Sequence, residues 1–219
     1  TINGQDIVEY VSFDHPILAQ YFASYVVAEE NDTNTLFRDI RTPDLQVFGD
    51  YTDIRGQISE IEAAANEFLS AIDPSLSDYE RYFEIAAKLC GETKYDYGFG
   101  AQGQTVKDFL LDVSVYGGLV NHLCVCQGFS KTYQYLCQRA GLFCMGIAGR
   151  TDSGDHEWNI IKLDDGYYHV DITWMQANRD RYFCLSDEQI FADHIIISQY
   201  HPECSGQKHA YDGGRIPQS

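Results

Sequence analysis

At Gly141 the apolar pattern of the chain changes period, and that change constrains the fold more than any other feature. Before it, apolar side chains recur from Phe129 at Tyr133, Leu136, Cys137 and Ala140, three and four residues apart, which gathers them on one face of a helix. Gly141 then supplies the left-handed backbone that ends such a helix. Beyond it, residues 143–148, 158–163 and 167–172 are rich in β-branched and aromatic side chains, and the turn-forming stretches 151–155 and 164–166 separate them. An antiparallel meander packed against the preceding helix makes the class α+β.

Two more helices precede this region. Within residues 57–72, Ile58, Ile61, Ala65, Phe68, Leu69 and Ile72 form an amphipathic stripe that stops at Asp73-Pro74. Ser77-Asp78-Tyr79-Glu80 reads as a capping box, with Tyr82, Phe83, Ile85, Ala86 and Leu89 lining the helix that follows up to Gly91. Residues 93–106 mix Tyr, Gly and Gln without a period and read as a loop, either an ordinary surface loop or one beside a binding cleft. Residues 1–50 show a helical stretch near 15–28 and little else. The expected organisation is an N-terminal helical region over 1–75, which is either separate or integral to the same domain, and a core over 76–219. A chain of 219 residues buries a substantial core.

Charge narrows the partners. Fifteen basic against thirty-three acidic side chains leave a net charge of −18, which repels nucleic acid and anionic lipid. The longest apolar runs, such as 195–197 and 109–111, are far short of the roughly 18 residues that span a bilayer, so no membrane insertion is expected. The chain starts Thr1-Ile2-Asn3-Gly4 without Met, which fits removal of a leader or an upstream region.

The chemistry centres on Leu123-Cys-Val-Cys-Gln-Gly-Phe-Ser130. Seven cysteines are an odd number in a chain too large to need disulfide staples, so at least one thiol is free or pairs between chains. A zinc site from His122, Cys124, Cys126 and Cys137 lacks the second knuckle of paired ligands, and a Cys124–Cys126 disulfide would close a strained ring. Cys90, Cys137 and Cys184 lie within apolar patterns and read as small buried hydrophobes, as does Cys124. Cys126 is different, because it stands at the first turn of the 129–140 helix. A helix N-terminus, a neighbouring imidazolium and partial exposure each favour a thiolate, the form that attacks. The imidazole must in turn be oriented by a third group. His156 opens one strand and Asp171 lies on the next. Simple hairpin pairing brings them to the same end of the sheet but two or three residues out of register, an offset that twist or a bulge must absorb.

Taken together, Val125-Cys-Gln-Gly-Phe-Ser130, Gly141-Leu142, Gly149, His156-Glu-Trp-Asn159 and Tyr168-His-Val-Asp-Ile-Thr-Trp174 resemble the core of the transglutaminase-like superfamily of papain-type thiol enzymes, which includes bacterial cysteine protease domains. Tyr116-Gly-Gly-Leu119 upstream and Arg181-Tyr-Phe-Cys-Leu-Ser-Asp187 with His194 downstream extend the resemblance to about residues 77–211. The resemblance implies a nucleophile at the N-terminus of a helix packed on an antiparallel sheet, with extra N-terminal helices. Cys126 would be the nucleophile, His156 the general base and then acid, and Asp171 the group that orients the imidazole, with no metal or cofactor. The oxyanion would be held by the Cys126 backbone N–H and an upstream donor, for which Tyr116 and Asn121 are the candidates. Trp158 would lie at the substrate side or shield the His156–Asp171 contact from water; His169, on the same face as Asp171, reads as a surface or core histidine with a second site histidine as the alternative, and His194 reads as structural. The implied activity is a cysteine-dependent peptidase or amidase acting on peptide or protein, cell-wall peptide included. A cross-linking transglutaminase and a non-catalytic peptide-binding or cell-wall-binding module on the same fold are the alternatives. Similar domains suggest a secreted or cell-surface protein.

Overall fold

The computed structural model describes residues 15–17, 51–198 and 200–213, so the helical stretch near 15–28 lies outside the described residues apart from 15–17. From residue 51 the chain opens with α1 (Tyr51–Ser70) and α2 (Asp78–Glu92). The sequence placed the start of α1 later, at residue 57, because its apolar stripe begins there; the helix extends further towards the N-terminus, to Tyr51. The expected capping box is formed at α2: the Ser77 hydroxyl accepts from the Glu80 N–H, and the Glu80 carboxylate accepts from the Ser77 N–H at 2.8 Å.

Residues 93–106 are not all loop. Lys94–Tyr95 form β1, which pairs in parallel with β2 (Leu123–Cys124) and sets Tyr95 opposite Cys124. Between the two strands lie the short helices α3 (Val106–Asp112) and α4 (Val115–Leu119). Next comes α5 (Cys126–Arg139), which ends at Gly141 with φ of 75°. The meander follows as β3 (Cys144–Thr151), β4 (Gly154–Leu163) and β5 (Gly166–Val170). Then come α6 (Ile172–Met175), β6 (Phe183–Leu185), α7 (Asp187–Ile190) and β7 (Ile195–Ile196). The five-stranded antiparallel sheet has the order β6-β5-β4-β3-β7. Residues 167–172 are therefore not one strand, since the ladder stops at Val170 and the chain turns into α6 with Asp171 as its N-cap.

Helix α5 is the centre of the core. Phe129, Tyr133, Leu136 and Cys137 are fully buried and share one apolar cluster with Ile61, Ala65 and Phe68 of α1, with Ile85 and Leu89 of α2, and with Ile147, Ile160 and Ile161 of the sheet. Polar pins fix its height against β4: the Asn159 amide donates to the Ser130 carbonyl at 3.0 Å, and the Ser130 hydroxyl donates to the Trp158 carbonyl at 3.1 Å. Glycines let its first turn approach its neighbours closely. A Cβ on Gly128 would stand 2.5 Å from the Cys124 Cβ and 2.6 Å from the Asp112 carbonyl oxygen, the same carbonyl that accepts the Val125 N–H at 3.0 Å. No helix among the described residues is long and apolar enough to cross a membrane.

The crowding at Gly128 leaves no room for a methyl group. Gly128→Ala is expected to destabilise the protein by about 1–3 kcal/mol, as overpacking typically does. In urea unfolding this reads as a lower midpoint at unchanged slope.

Candidate active site

Cys126 is the first residue of α5, where the backbone N–H groups have no partner inside the helix, and Val125 at the N-cap contributes no side-chain bond. The thiol is partly exposed. The other six cysteines are also free thiols, five of them buried and Cys90 partly so. Burial pushes the Cys90 thiol up to about 12 and raises the Cys124, Cys144, Cys184 and Cys204 thiols as well.

Facing Cys126, His156 lies near the start of β4. Its Nε2 meets Asp171 Oδ2 at 2.8 Å, which leaves Nδ1 as the nitrogen for the neighbouring Cys126 side chain. Burial by itself would strip the ring of its proton, but hydrogen bonds and charge from Asp171 and Cys126 outweigh it and push His156 up to about 10. The register offset expected between the strands is present. Asn159 pairs with Val170, so a continued ladder would set Asp171 opposite Trp158, two residues from His156. Asp171 covers the gap by leaving the ladder: its N–H donates to the Tyr182 carbonyl at 2.9 Å, and Oδ1 accepts the Trp174 N–H at 3.1 Å. Capping α6 thus aims Oδ2 at the imidazole. The carboxylate is fully buried, and although burial favours its protonated form, hydrogen bonds from His156 and His194 hold it below the usual range.

Trp158 stacks on His156 with ring centroids 5.9 Å apart and planes 21° apart. Its indole is 1% exposed, and its one N–H donates to His169 Nδ1 at 3.1 Å. Trp158 is therefore placed as a shield over the imidazole, with no free donor and no face open to a substrate. The Tyr116 hydroxyl donates to Glu60, and the Asn121 side chain is exposed. Sequence reasoning passed over Tyr95. The β1–β2 pairing puts it beside the cysteine segment, and its hydroxyl is raised by burial first and by the neighbouring Cys126 charge next. A two-residue strand paired across 29 positions of chain leaves no local signal.

Three groups among the described residues bring potential metal-ligand atoms within 4.8 Å of one another. In His169, Asp187 and Cys204, the Trp158 indole donates to Nδ1, so the proton of the neutral ring sits on Nε2 and donates to Asp187 at 2.8 Å. Nε2 then has no lone pair for a metal. His156, Asp171 and His194 are the site itself, and the third group, Asp164, Asp165 and His209, lies largely at the surface and is closed by hydrogen bonds to Lys208 and Tyr168.

No family model matches the chain. Kyphoscoliosis peptidase of Mus musculus is 24% identical over 179 residues, covering 73% of this chain and 26% of that protein. The Homo sapiens protein of the same name is 25% identical over the same length and shares. The chain is similar in sequence to a peptidase. It spans about a quarter of the length of these curated relatives. A crystal structure of a TGase superposes with a TM-score of 0.45 at 13% identity, covering 71% of this chain and 38% of that one. The helices and the antiparallel sheet make the chain α+β.

Two of the buried histidines, His169 and His156, are shifted in opposite senses. Burial holds His169 neutral and lowers it to about 4, against an ordinary value near 6.5, so below about pH 6.5 the unfolded chain takes up a proton that the folded one refuses. The stability due to His169 is present above pH 6.5 and is lost as pH falls towards 4. That due to His156, raised to about 10, is present below pH 6.5 and is lost as pH rises towards 10. Urea midpoints across pH 4–6.5 are expected to fall with acidity, and His169→Gln is expected to flatten this part of the profile.

Proposed function

We propose that the chain is a cysteine-dependent hydrolase of peptide-like substrates, with Cys126 as nucleophile, His156 as general base and acid, and Asp171 as the group that orients His156. One observation carries this reading: a partly exposed cysteine on a helix N-terminus neighbours an imidazole whose far nitrogen is held at 2.8 Å by a fully buried carboxylate. The sequence similarity to a peptidase supports it.

In this mechanism the thiolate attacks the acyl carbon, and the electron pair of the carbonyl moves to oxygen at the open N–H groups of α5. His156 passes its proton from Nδ1 to the leaving amine, the C–N bond breaks and a thioester forms. Water then attacks the thioester as His156 takes its proton, and the acid leaves with the thiol restored. Trp158 and Trp174, with ring centroids 5.9 and 6.0 Å from that of His156, keep bulk water off the His156–Asp171 bond. We place the second oxyanion donor on the Tyr95 hydroxyl, because that of Tyr116 is turned to Glu60.

The helix N-terminus and the imidazolium make Cys126 the thiol expected to react first with iodoacetamide at pH 6, identified by peptide mapping. His156→Ala is expected to slow that reaction on the order of 10²-fold. Uniformly slow labelling of all seven thiols would overturn the reading. Incubation with a glutamine peptide and a labelled amine separates the two acyl-transfer outcomes: cleavage or release of ammonia fits hydrolysis, while incorporation of the label would make the protein a transglutaminase. On a peptide that is turned over, Tyr95→Phe is expected to lower kcat on the order of 10²-fold, the usual cost of one oxyanion donor, while leaving the alkylation of Cys126 unchanged.

A further inference from the structure

Asp171 Oδ2 serves two imidazoles. Besides His156 at 2.8 Å, it meets His194 Nε2 at 3.0 Å. His194 comes from the segment between α7 and β7, more than twenty positions along the chain from Asp171, and its ring is completely buried. Its other nitrogen, Nδ1, faces Asp193 Oδ1 at 2.6 Å. With a carboxylate oxygen at each ring nitrogen, both nitrogens donate only when the ring carries both protons. Asp193 is itself held from outside, by the Tyr182 hydroxyl at 2.8 Å and by Arg181 at 3.6 Å. The result is an alternating row of imidazole, carboxylate, imidazole and carboxylate that runs from the thiol to the surface.

We propose that His194 is a positioning residue for the reaction at Cys126: by donating to the same oxygen as His156, and being gripped in turn by Asp193, it sets the plane of the Asp171 carboxylate and shares its charge. The proposal rests on the reading of Cys126 and His156 as the reacting pair. Its chemical content is a balance. A buried carboxylate bound to His156 alone would hold the imidazolium so firmly that proton delivery to a leaving amine would suffer. A second donor on the same oxygen weakens that hold and leaves the geometry intact.

Other charges around the two rings are few. His156 faces Asp171, Cys126 and His194, with the buried Glu157 beside it on β4. His194 faces Asp171, Asp193 and His156, while His169 feels its charge from β5. Trp158, Trp174 and Tyr182 fill the remaining surroundings, with ring centroids 5.0, 4.5 and 6.1 Å from that of His194, so no solvent dilutes the effect.

The test is the titration midpoint of His156, read from ring-nitrogen NMR of the ¹⁵N-histidine-labelled protein. The ring centroids of His156 and His194 are 5.4 Å apart, within the range over which one charge alters another group's ionisation. His194→Gln keeps a donor to Asp171 but can carry no charge, and it is expected to raise the proton affinity of His156 about tenfold. Asp193→Asn, a change at a partly exposed position, is expected to move the midpoint the same way by less, and it decides the matter if the Gln variant does not fold. Folded variants that lose stability with the His156 midpoint unmoved would overturn the proposal and leave His194 as packing. Failure of the underlying reading is seen separately: Cys126 alkylation would then be indifferent to His156→Ala, whatever the midpoints do.

Discussion

A carboxylate without access to solvent organises this end of the molecule. Taking an ion the size of Asp171 out of water costs several kcal/mol, which the fold offsets only by meeting its oxygens with donors. Those donors come from three places: His156 on β4, the Trp174 N–H in α6, and His194 before β7. Each bond needs its element at one height, so the buried charge ties the sheet centre, the short helix after β5 and the closing segment of the chain to a single point. The orientation of His156 follows from this arrangement, because the nitrogen that binds Asp171 leaves the other one for Cys126.

The thiol reaches that imidazole through packing of another kind. Helix α5 has an apolar face buried between α1, α2 and the sheet, and its first turn is pressed against Cys124 and the Asp112 carbonyl at a glycine. Lys131 and Glu157 are both buried near this turn, with the Lys131 ammonium donating to the Val113 carbonyl at 3.0 Å. Burial lowers Lys131 and raises Glu157, and the charge of each opposes that shift in the other. A packed helix end, unlike a loop, keeps the reacting atom in place while water is excluded around its partner.

Local features were legible in the sequence because local physics decides them. The capping box at Ser77, the glycine stop at Gly141 and the β-branched and aromatic strands after it depend on neighbours within a few residues, and each is present in the fold. Missed features are those made by distant pairing. Residues 167–172 read as one strand, yet Asp171 is drawn out of the ladder by donors elsewhere. Residues 93–106 read as loop, yet Lys94 and Tyr95 become a strand only because residues 123–124 lie beside them. His194 carried no pattern of its own, since its partners Asp171 and Trp158 are more than twenty positions away.

The sequence by itself determined the α+β order of elements and which cysteine opens a helix, because periodicity and capping are properties of short segments. It also determined that His156 and Asp171 sit on successive segments at one end of a sheet. Only the tertiary structure decided that one oxygen of Asp171 serves two imidazoles, that the Trp158 indole is spent on His169, and that Tyr95 stands near the thiol. The reason is that donors and acceptors in a dry interior must pair with whatever the fold brings near, and the fold chooses those neighbours across the whole chain.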